Sequence, residues 1–385
     1  MSDWIAAEDA RSRLGVRAQT LYAYVSRGRV RVRPDPADPR RSLYRAADIA
    51  ALNDRKSRSR RPADVAAGAI AWGEPVLNSA ITTIAEGRLY YRGRDAVRLA
   101  ETETLESIAR LLRGGHGAAL KTPDRAPPPH GAGPTARAFA VLAARAAADP
   151  PALGRNPLRL SMDAVSLLDE VADAMAGEVG EGPIHARLAC AWGCDPGGPA
   201  ADLIRRALVL TADHELNAST FAARVAASTG ASLAASALAG LSALSGPRHG
   251  GAGAATRAFA EDAARRGAAA ALSERLREDR PIPGFGHQLY AGVDPRARAL
   301  LAQVEPPPLF AELAAAVRAQ TGLEPNIDYA LAALSETHGL PRDAPFALFA
   351  TARCAGWMAH AIEQGQANAI IRPRARYTGP DPEAP

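Results

Sequence analysis

Residues 212–220 read A-D-H-E-L-N-A-S-T, and the histidine in this stretch, His214, is one of only eight in the 385-residue chain. Two others have similar surroundings: His249 stands in G-P-R-H-G-G-A and His287 in G-F-G-H-Q-L-Y. All three lie beside glycine, proline or charged residues rather than inside an apolar stripe. This context makes them candidates for proton chemistry instead of structural core histidines.

Charged residues follow the third histidine. Arg296 lies nine residues beyond His287, and Asp328 lies further along in P-N-I-D-Y. Imidazoles, a carboxylate and guanidinium groups together are suited to proton transfer beside a substrate that carries carboxylates. An alternative for Asp328 alone is that it caps the alanine- and leucine-rich helix expected after it.

The composition predicts a mainly helical protein. Only 5% of the residues are aromatic, and the windows 199–209 and 311–320 mix alanine, leucine and arginine without β-branched alternation. The three cysteines, Cys190, Cys194 and Cys354, are too few for a disulfide framework, which indicates a reducing compartment and a cytoplasmic location. No cysteine or histidine pair completes a zinc-ligand spacing with the first two, so we predict no metal site.

We expect neither a secretory signal nor a membrane span. The chain begins without a basic region followed by an apolar run. Residues 225–247 carry no charge, but they are mostly alanine, serine, glycine and threonine, which have weak transfer energies into lipid. This segment therefore predicts a buried, closely packed helix.

The positive charge is concentrated at one end of the chain. Residues 1–62 hold 15 Lys and Arg against 7 Asp and Glu, a net charge of +8, whereas the remaining 323 residues hold 31 against 34, a net charge of −3. We infer a separate small N-terminal module with an anionic partner.

The pattern over residues 1–53 is typical of a helix-turn-helix followed by a wing. Helical patterns cover residues 6–14 and 17–26, with a turn between them. The segment R-V-R-V-R, a turn rich in proline and aspartate, and R-S-L-Y then predict two strands. Residues 46–53 are expected to form a closing helix.

This order resembles the winged helices of the MerR and excisionase-like DNA-binding families. The resemblance implies four residues facing the groove of DNA and three arginines meeting its phosphates. The groove-facing residues would be Arg17, Gln19, Thr20 and Tyr24. The phosphate-binding arginines would be Arg29, Arg31 and Arg33. The alternative is a basic, solvated module that binds another protein.

Two irregular segments punctuate the chain. Residues 54–64 are polar and basic without periodicity, which predicts a linker between the module and a main body at 65–385. Residues 114–133 are rich in glycine and proline and are expected to form a surface loop.

The main body resembles the citrate synthases at seven places in the expected order. The segments are S-A-I-T-T-I-A-E-G-R-L-Y-Y-R-G-R-D (79–95), A-D-H-E-L-N-A-S-T (212–220), G-P-R-H-G-G-A (246–252), G-F-G-H-Q-L-Y-A-G-V-D-P-R-A (284–297), P-N-I-D-Y (325–329), T-A-R-C-A-G-W-M-A-H (351–360) and R-P-R-A-R-Y-T-G (372–379). The resemblance implies a mainly α-helical citrate synthase fold. In that fold a smaller helical subdomain, here about 254–349, closes over a site in the cleft beside a larger one.

The resemblance also implies a reaction: acetyl-CoA condenses with oxaloacetate, and the thioester is then hydrolysed to give citrate and free CoA. Asp328 would remove a proton from the acetyl methyl group, and His249 would hydrogen-bond the thioester oxygen as the enolate forms. His287 would donate to the carbonyl of oxaloacetate. We expect a neutral His249, because a helix start disfavours an imidazolium.

Substrate binding is implied for four further residues. Arg296, Arg353 and Arg372 would clamp the carboxylates of the oxoacid, and His214 would add a contact to it. In the family, the arginine that matches Arg372 reaches into the partner subunit's site, which implies a homodimer. Acyl-CoA is then a substrate, and no cofactor is expected.

Two alternatives remain open at this stage. A 2-methylcitrate synthase would use propionyl-CoA, and one extra methylene is worth only about 1–3 kcal/mol of discrimination. A DNA-binding regulator could use the synthase body to sense a metabolite. One departure bears on activity: Gln288 and Leu289 stand where most family members have arginine and a β-branched residue.

Overall fold

The computed structural model describes residues 4–14, 16, 20–21, 24–25, 30–36, 38–58, 77–115, 125–131, 133–290, 292–375 and 377–380. The chain divides into two compact units. The first comprises Met1–Asn78 with Arg374–Pro385, and the second is Ser79–Pro373.

The first unit contains a three-stranded antiparallel sheet. Its elements are β1 (Trp4–Ala6), α1 (Ala7–Leu14), β2 (Val32–Asp35), β3 (Asp38–Arg45) and α2 (Ala46–Arg58), and residues 20–21 and 24–25 are also helical. The strand order is β1-β3-β2, with Ile5 opposite Tyr44. Ile5, Leu14, Leu21, Tyr44 and Ile49 form its small core.

Three expectations for this unit are confirmed and one is wrong. The helix predicted at 6–14 is α1 (Ala7–Leu14). The β2–β3 hairpin and a helix after it were predicted, whereas strand β1 was not. The predicted linker begins too early, because α2 continues through Arg58. Arg55, Lys56 and Arg58 favour helix, and no glycine or proline lies between Ala46 and Pro62. The rest of the predicted linker lies outside the described residues.

The second unit is mainly helical after a short antiparallel sheet. The strands are β4 (Thr82–Ala85), β5 (Arg88–Tyr91) and β6 (Arg94–Asp95). The helices are α3 (Ala96–Thr102), α4 (Leu105–Leu112), α5 (Pro134–Ala148), α6 (Pro157–Ala176), α7 (Ile184–Ala191), α8 (Pro199–Thr211), α9 (Ala218–Ser228), α10 (Leu233–Leu244), α11 (Ala252–Arg266), α12 (Ala268–Arg277), α13 (Pro295–Leu301), α14 (Pro308–Thr321), α15 (Ile327–Thr337) and α16 (Ala344–Ala367). The helices predicted at 199–209 and 311–320 are confirmed as parts of α8 and α14.

The largest core surrounds α16, which is buried along most of its 24 residues. Trp357 on this helix packs against α10 at Gly240, where an added Cβ would lie 2.7 Å from the indole ring. Glycine is therefore required for this close approach. The packing fixes the helix that carries Arg353.

A second apolar cluster lies among α11, α12, α14 and α15. It includes Phe259, Leu272, Phe310, Leu313 and Tyr329, and the Tyr329 hydroxyl donates to the Phe310 carbonyl at 2.6 Å. These residues fall within the range expected for a smaller helical subdomain.

The uncharged segment 225–247 forms two helices rather than one. Helix α9 ends at Ser228, Gly230 has a φ of +83°, and Ser232 caps α10. In the described part of the chain, no helix is long and apolar enough to cross a membrane.

Candidate active site

The loop between α8 and α9 carries His214 and is held tightly at both ends. Asn217 caps α9, and its side-chain oxygen accepts hydrogen bonds from the N–H groups of Ser219 and Thr220. Glu215 has a left-handed φ of +51°, which is uncommon for a residue with a Cβ. Such strain persists where the surrounding structure determines the backbone, and it is frequent at functional sites.

Two of the three predicted histidines meet in one aromatic cluster. The ring centroids of His214 and His287 are 5.1 Å apart, and His214 Nε2 lies 2.9 Å from the Tyr290 hydroxyl. The backbone N–H of Leu289 donates to His287 Nδ1 at 3.1 Å. In the neutral ring the proton is therefore on Nε2, which makes that atom a hydrogen-bond donor.

Both imidazoles of this cluster are held neutral. Burial and then Arg296 lower the pKa of His287 to about 4. Burial, with Arg296 and Arg353, holds the pKa of His214 well below its usual range. Two neutral rings can thus lie beside guanidinium groups without charge repulsion.

The third histidine, His249, precedes α11 and contacts the start of α9. Its Nε2 is 2.9 Å from Ser219 Oγ and 3.3 Å from Asn217 Oδ1, and Trp357 Nε1–H donates to the same Ser219 oxygen. Burial and then Arg353 lower the pKa of His249 to about 4. This shift supports the expected neutral state, and burial and Arg353 are its causes.

Two buried arginines lie beside the histidines. Arg296 is paired with Asp294 through Nε at 3.0 Å and Nη2 at 2.8 Å, and both residues are almost fully buried. Arg353 donates from Nε to the Thr211 carbonyl at 3.1 Å. Its Nη2 is buried without a hydrogen-bond partner among the described residues, which leaves a donor for an anionic ligand.

Asp328 lies in the first turn of α15, and it does not cap this helix. Asn326 is the cap, and its side-chain oxygen accepts from the backbone N–H of Asp328. Burial raises the pKa of Asp328 to about 6, against the opposing effects of Arg296 and Arg353. A carboxylate with this pKa is a stronger base than an ordinary aspartate.

Asp294 connects this helix to Arg296. Its Oδ2 accepts from both Arg296 Nη2 and the backbone N–H of Ile327 at 3.1 Å. The buried Asp294 carboxylate thereby holds both the guanidinium of Arg296 and the start of α15, the helix that carries Asp328.

Arg372 is the one predicted substrate-binding residue outside this cluster. It is exposed, and the N–H of its neighbour Ile371 donates to Ser228 Oγ at the last turn of α9. Eleven helical residues span about 16 Å, so this contact is far from Asn217 at the other end of α9. Gln288 is also exposed.

Several site residues were not singled out from the sequence, although they lie in the quoted segments. Asp294 is the aspartate of D-P-R, and Asn217 and Ser219 belong to A-D-H-E-L-N-A-S-T. Tyr290 follows His287 in G-F-G-H-Q-L-Y. Their side chains act through contacts with elements distant in sequence, which a local pattern does not reveal.

Of the predicted DNA-contacting residues, Arg17, Gln19 and Arg29 lie outside the described residues. Thr20 is exposed, whereas Tyr24 is half-buried against the small core. Arg31 makes a two-point ion pair with Asp48, at 2.9 and 2.8 Å, so phosphate binding would compete with it. The Arg33 guanidinium lies 4.5 Å over the Trp4 ring.

Within the ranges given above for the described chain, no group of three or more histidine, cysteine or acidic side chains could hold a metal ion.

A comparison with known families gives a match to the C-terminal domain of citrate synthase over residues 134–374. The chain belongs to the citrate synthase family.

Curated relatives are named either as citrate synthases or as 2-methylcitrate synthases. The chain is 35% identical over 216 residues to "Putative citrate synthase 2" of Mycobacterium tuberculosis, covering 52% of this chain and 58% of that protein. It is 36% identical over 200 residues to "Citrate synthase 2" of Bacillus subtilis, at 49% and 54% coverage. It is 33% identical over 253 residues to "2-methylcitrate synthase 2" of Corynebacterium glutamicum, at 59% and 63%. The matches span between about half and three-fifths of these relatives.

Solved structures agree with the fold. The crystal structure of citrate synthase from Thermotoga maritima superposes with a TM-score of 0.63 at 28% identity, covering 81% of this chain and 96% of that one. The citrate synthase of Thermoplasma acidophilum, solved as a ternary complex with carboxymethyl coenzyme A and oxaloacetate, gives 0.66 at 25% identity, with 80% and 95% coverage.

Proposed function

We propose that this protein condenses acetyl-CoA with oxaloacetate to give citrate and free CoA, as a citrate synthase-type acyltransferase. The observation that carries the proposal is the joint presence of a base with a raised pKa, Asp328, two neutral imidazoles, His249 and His287, and two buried arginines. The same groups in separate places would support no reaction.

The first step is removal of a methyl proton from acetyl-CoA by the Asp328 carboxylate. The enolate oxygen that forms needs a hydrogen-bond donor. The single hydrogen of the Ser219 hydroxyl can go to His249 Nε2 or to Asn217 Oδ1; in the first arrangement the ring proton is on Nδ1 and is available to that oxygen. A neutral donor avoids loss of the proton to the enolate.

The enolate carbon then attacks the carbonyl carbon of oxaloacetate. His287 donates from Nε2 to the carbonyl oxygen, because Leu289 already occupies Nδ1. Arg353, with its unpaired Nη2, and Arg296 bind the carboxylates, and His214 adds a polar contact. Water hydrolyses the resulting thioester, which makes the overall reaction favourable.

The assembly proposed for this reaction is a homodimer. Arg372 is exposed and is anchored at the end of α9 remote from His249. An arginine so placed can complete the site of a second subunit, as the family resemblance implies. The apolar, half-buried side chains of Val225 and Leu238 on α9 and α10 are consistent with helix packing between subunits.

Propionyl-CoA is the alternative acyl substrate, and a relative named as a 2-methylcitrate synthase supports considering it. The experiment that tests both is an oxaloacetate-dependent thiol-release assay with each acyl-CoA. Turnover with neither, by a protein that binds oxaloacetate, would contradict the enzymatic proposal and favour a metabolite sensor.

The N-terminal unit favours a second function, binding to DNA. Residues 1–62 carry a net charge of +8, and the β2–β3 hairpin exposes Arg33 and Arg41. A gel shift of the full chain on a pool of random duplexes tests this. Binding that weakens steeply with added salt supports phosphate contacts. Absence of any complex at low salt would leave a protein-interaction module.

A further inference from the structure

A buried chain of polar side chains begins next to His214, and the reaction above does not use it. Asp213 is fully buried, and His360 Nε2 donates to its Oδ2 at 3.1 Å. Arg224 Nη1 donates to His360 Nδ1 at 3.3 Å. His360 and Arg224 are only 1% and 2% exposed. These contacts connect α9, α16 and the loop that carries His214.

The direction of the hydrogen bonds follows from arginine chemistry. A guanidinium group can only donate, so His360 Nδ1 must accept, and the proton of the ring is on Nε2. That proton points at Asp213. Removing the imidazole would take away the hydrogen bond to the buried Asp213 Oδ2 and the acceptor of one Arg224 Nη1 hydrogen bond, which is costly inside a protein.

Arg224, at the outer end of this row of polar side chains, is also held by several hydrogen bonds. Arg224 pairs with Glu363 at 2.8 Å and donates from Nε to Gln364 at 3.0 Å. The second oxygen of Glu363 accepts from the backbone N–H of Ala80 at 2.8 Å. His360, Glu363 and Gln364 are spaced i, i+3 and i+4, so one face of α16 holds all three.

The inner end contacts the parts of the site that bind the oxoacid. Asp213 fits closely against α16, since a Cβ at Gly356 would lie 2.4 Å from Oδ1. His214 follows Asp213, and the Thr211 carbonyl before it accepts from Arg353 Nε. A shift of Asp213 would therefore move His214 and the carbonyl that orients Arg353.

We propose that Asp213, His360 and Arg224 are positioning residues that fix His214 and Arg353 for binding of the oxoacid. This inference rests on the proposed function, because it assigns the three residues to its substrate site. Hydrogen bonds from His360 to Asp213 Oδ2 and from Arg224 to His360 join the three side chains, and in a low-dielectric interior such bonds orient the groups strongly. None of the three needs to touch substrate.

The binding test compares two replacements of His360. His360→Leu removes the donor and the acceptor, and we expect oxaloacetate to bind about 10- to 100-fold more weakly in calorimetry. His360→Gln supplies an amide donor and acceptor, and we expect it to restore affinity toward that of the wild type. Arg224→Met breaks the network from its outer end and should act in the same direction. Equal affinity of His360→Leu and wild type would overturn the proposal.

A matched control separates positioning from stability. Met358 is buried on α16 but has no place in the network. Met358→Ala should lower the melting temperature and leave oxaloacetate affinity unchanged. A parallel loss of affinity in Met358→Ala would show that any damage to α16 has this effect and would overturn the assignment.

A second readout does not depend on substrate. In a ligand-free crystal structure of His360→Leu, we expect the His214–Tyr290 hydrogen bond to be lost. Its retention would overturn the positioning role even if the wild type bound no oxaloacetate. Absence of oxaloacetate binding by the wild type would instead contradict the proposed function, so the two failures are distinguishable.

Discussion

The side-chain oxygen of Asn326 accepts a hydrogen bond from the backbone N–H of Asp328 at 3.0 Å. Asn326 therefore caps α15, and the Asp328 carboxylate is not needed to satisfy the helix terminus. Burial raises the pKa of this carboxyl to about 6. The asparagine thus leaves the aspartate available as a base.

Asp328→Asn removes the base while keeping the shape of the side chain. We expect the condensation rate to fall about 10²- to 10⁴-fold, the usual contribution of a positioned general base. Oxaloacetate affinity in calorimetry should change little. Glu336→Gln is the matched control, since Glu336 lies on the same helix and is exposed. A rate for Asp328→Asn equal to that of the control would refute the assignment.

The pH dependence of kcat/KM follows from the same pKa. Asp328 must be ionised to act, so activity should be full above pH 7 and fall about tenfold per pH unit well below 6. His249 and His287, with pKa values of about 4, stay neutral throughout this range. A rate that rises as pH falls from 7 to 5 would exclude Asp328 as the base.

The free energy of unfolding should change with pH through Asp328 in the direction opposite to that for an ion-paired carboxylate. The folded pKa of Asp328 is about 6 and the usual value is 3.8, so the folded state holds the proton more tightly. The resulting stabilisation is present below pH 3.8 and is lost as the pH rises through 6. At pH 7.5, Asp328→Asn should therefore raise the free energy of unfolding, by about 1–3 kcal/mol. Denaturant titration measures the free energy of unfolding of both proteins. A lower value for Asp328→Asn than for the wild type would contradict burial of the charge.

Mixed dimers test whether Arg372 serves the partner's site. Asp328→Ala and Arg372→Ala chains should each be inactive alone as homodimers. After unfolding and refolding together, each mixed dimer has one intact site if Arg372 acts across the interface, which restores about a quarter of wild-type activity. Recovery of no activity from a mixture that forms mixed dimers would show that Arg372 acts within its own chain.

Much of the site could be predicted from the sequence, since the motifs name the residues that perform the chemistry. His214, His249, His287, Arg296 and Arg353 do lie together with Asp328. Their partners were harder to foresee. The contact of Ser219 with His249 and the pairing of Asp213 with His360 join residues 30 and 147 positions apart. Tertiary packing brings such residues together: the turn before α11 lies against α9, and the loop before α9 lies against α16.

The fold was predicted more fully in its helices than in its sheets. Alanine- and leucine-rich windows indicate helices directly, as in α8 and α14. Strand β1 has three residues, and β6 has two, which is too short for an alternating pattern. The end of α2 was misjudged because charged residues suit both a linker and an exposed helix.

The most direct test of the central claim is release of free CoA. Purified full-length protein is mixed with acetyl-CoA or propionyl-CoA, with and without oxaloacetate, and the thiol is followed with a dye. We predict oxaloacetate-dependent release that Asp328→Asn abolishes, and the ratio of the two rates identifies the preferred acyl group. No release with either acyl-CoA, from folded protein that binds oxaloacetate, would contradict the assignment of this site as a condensing enzyme.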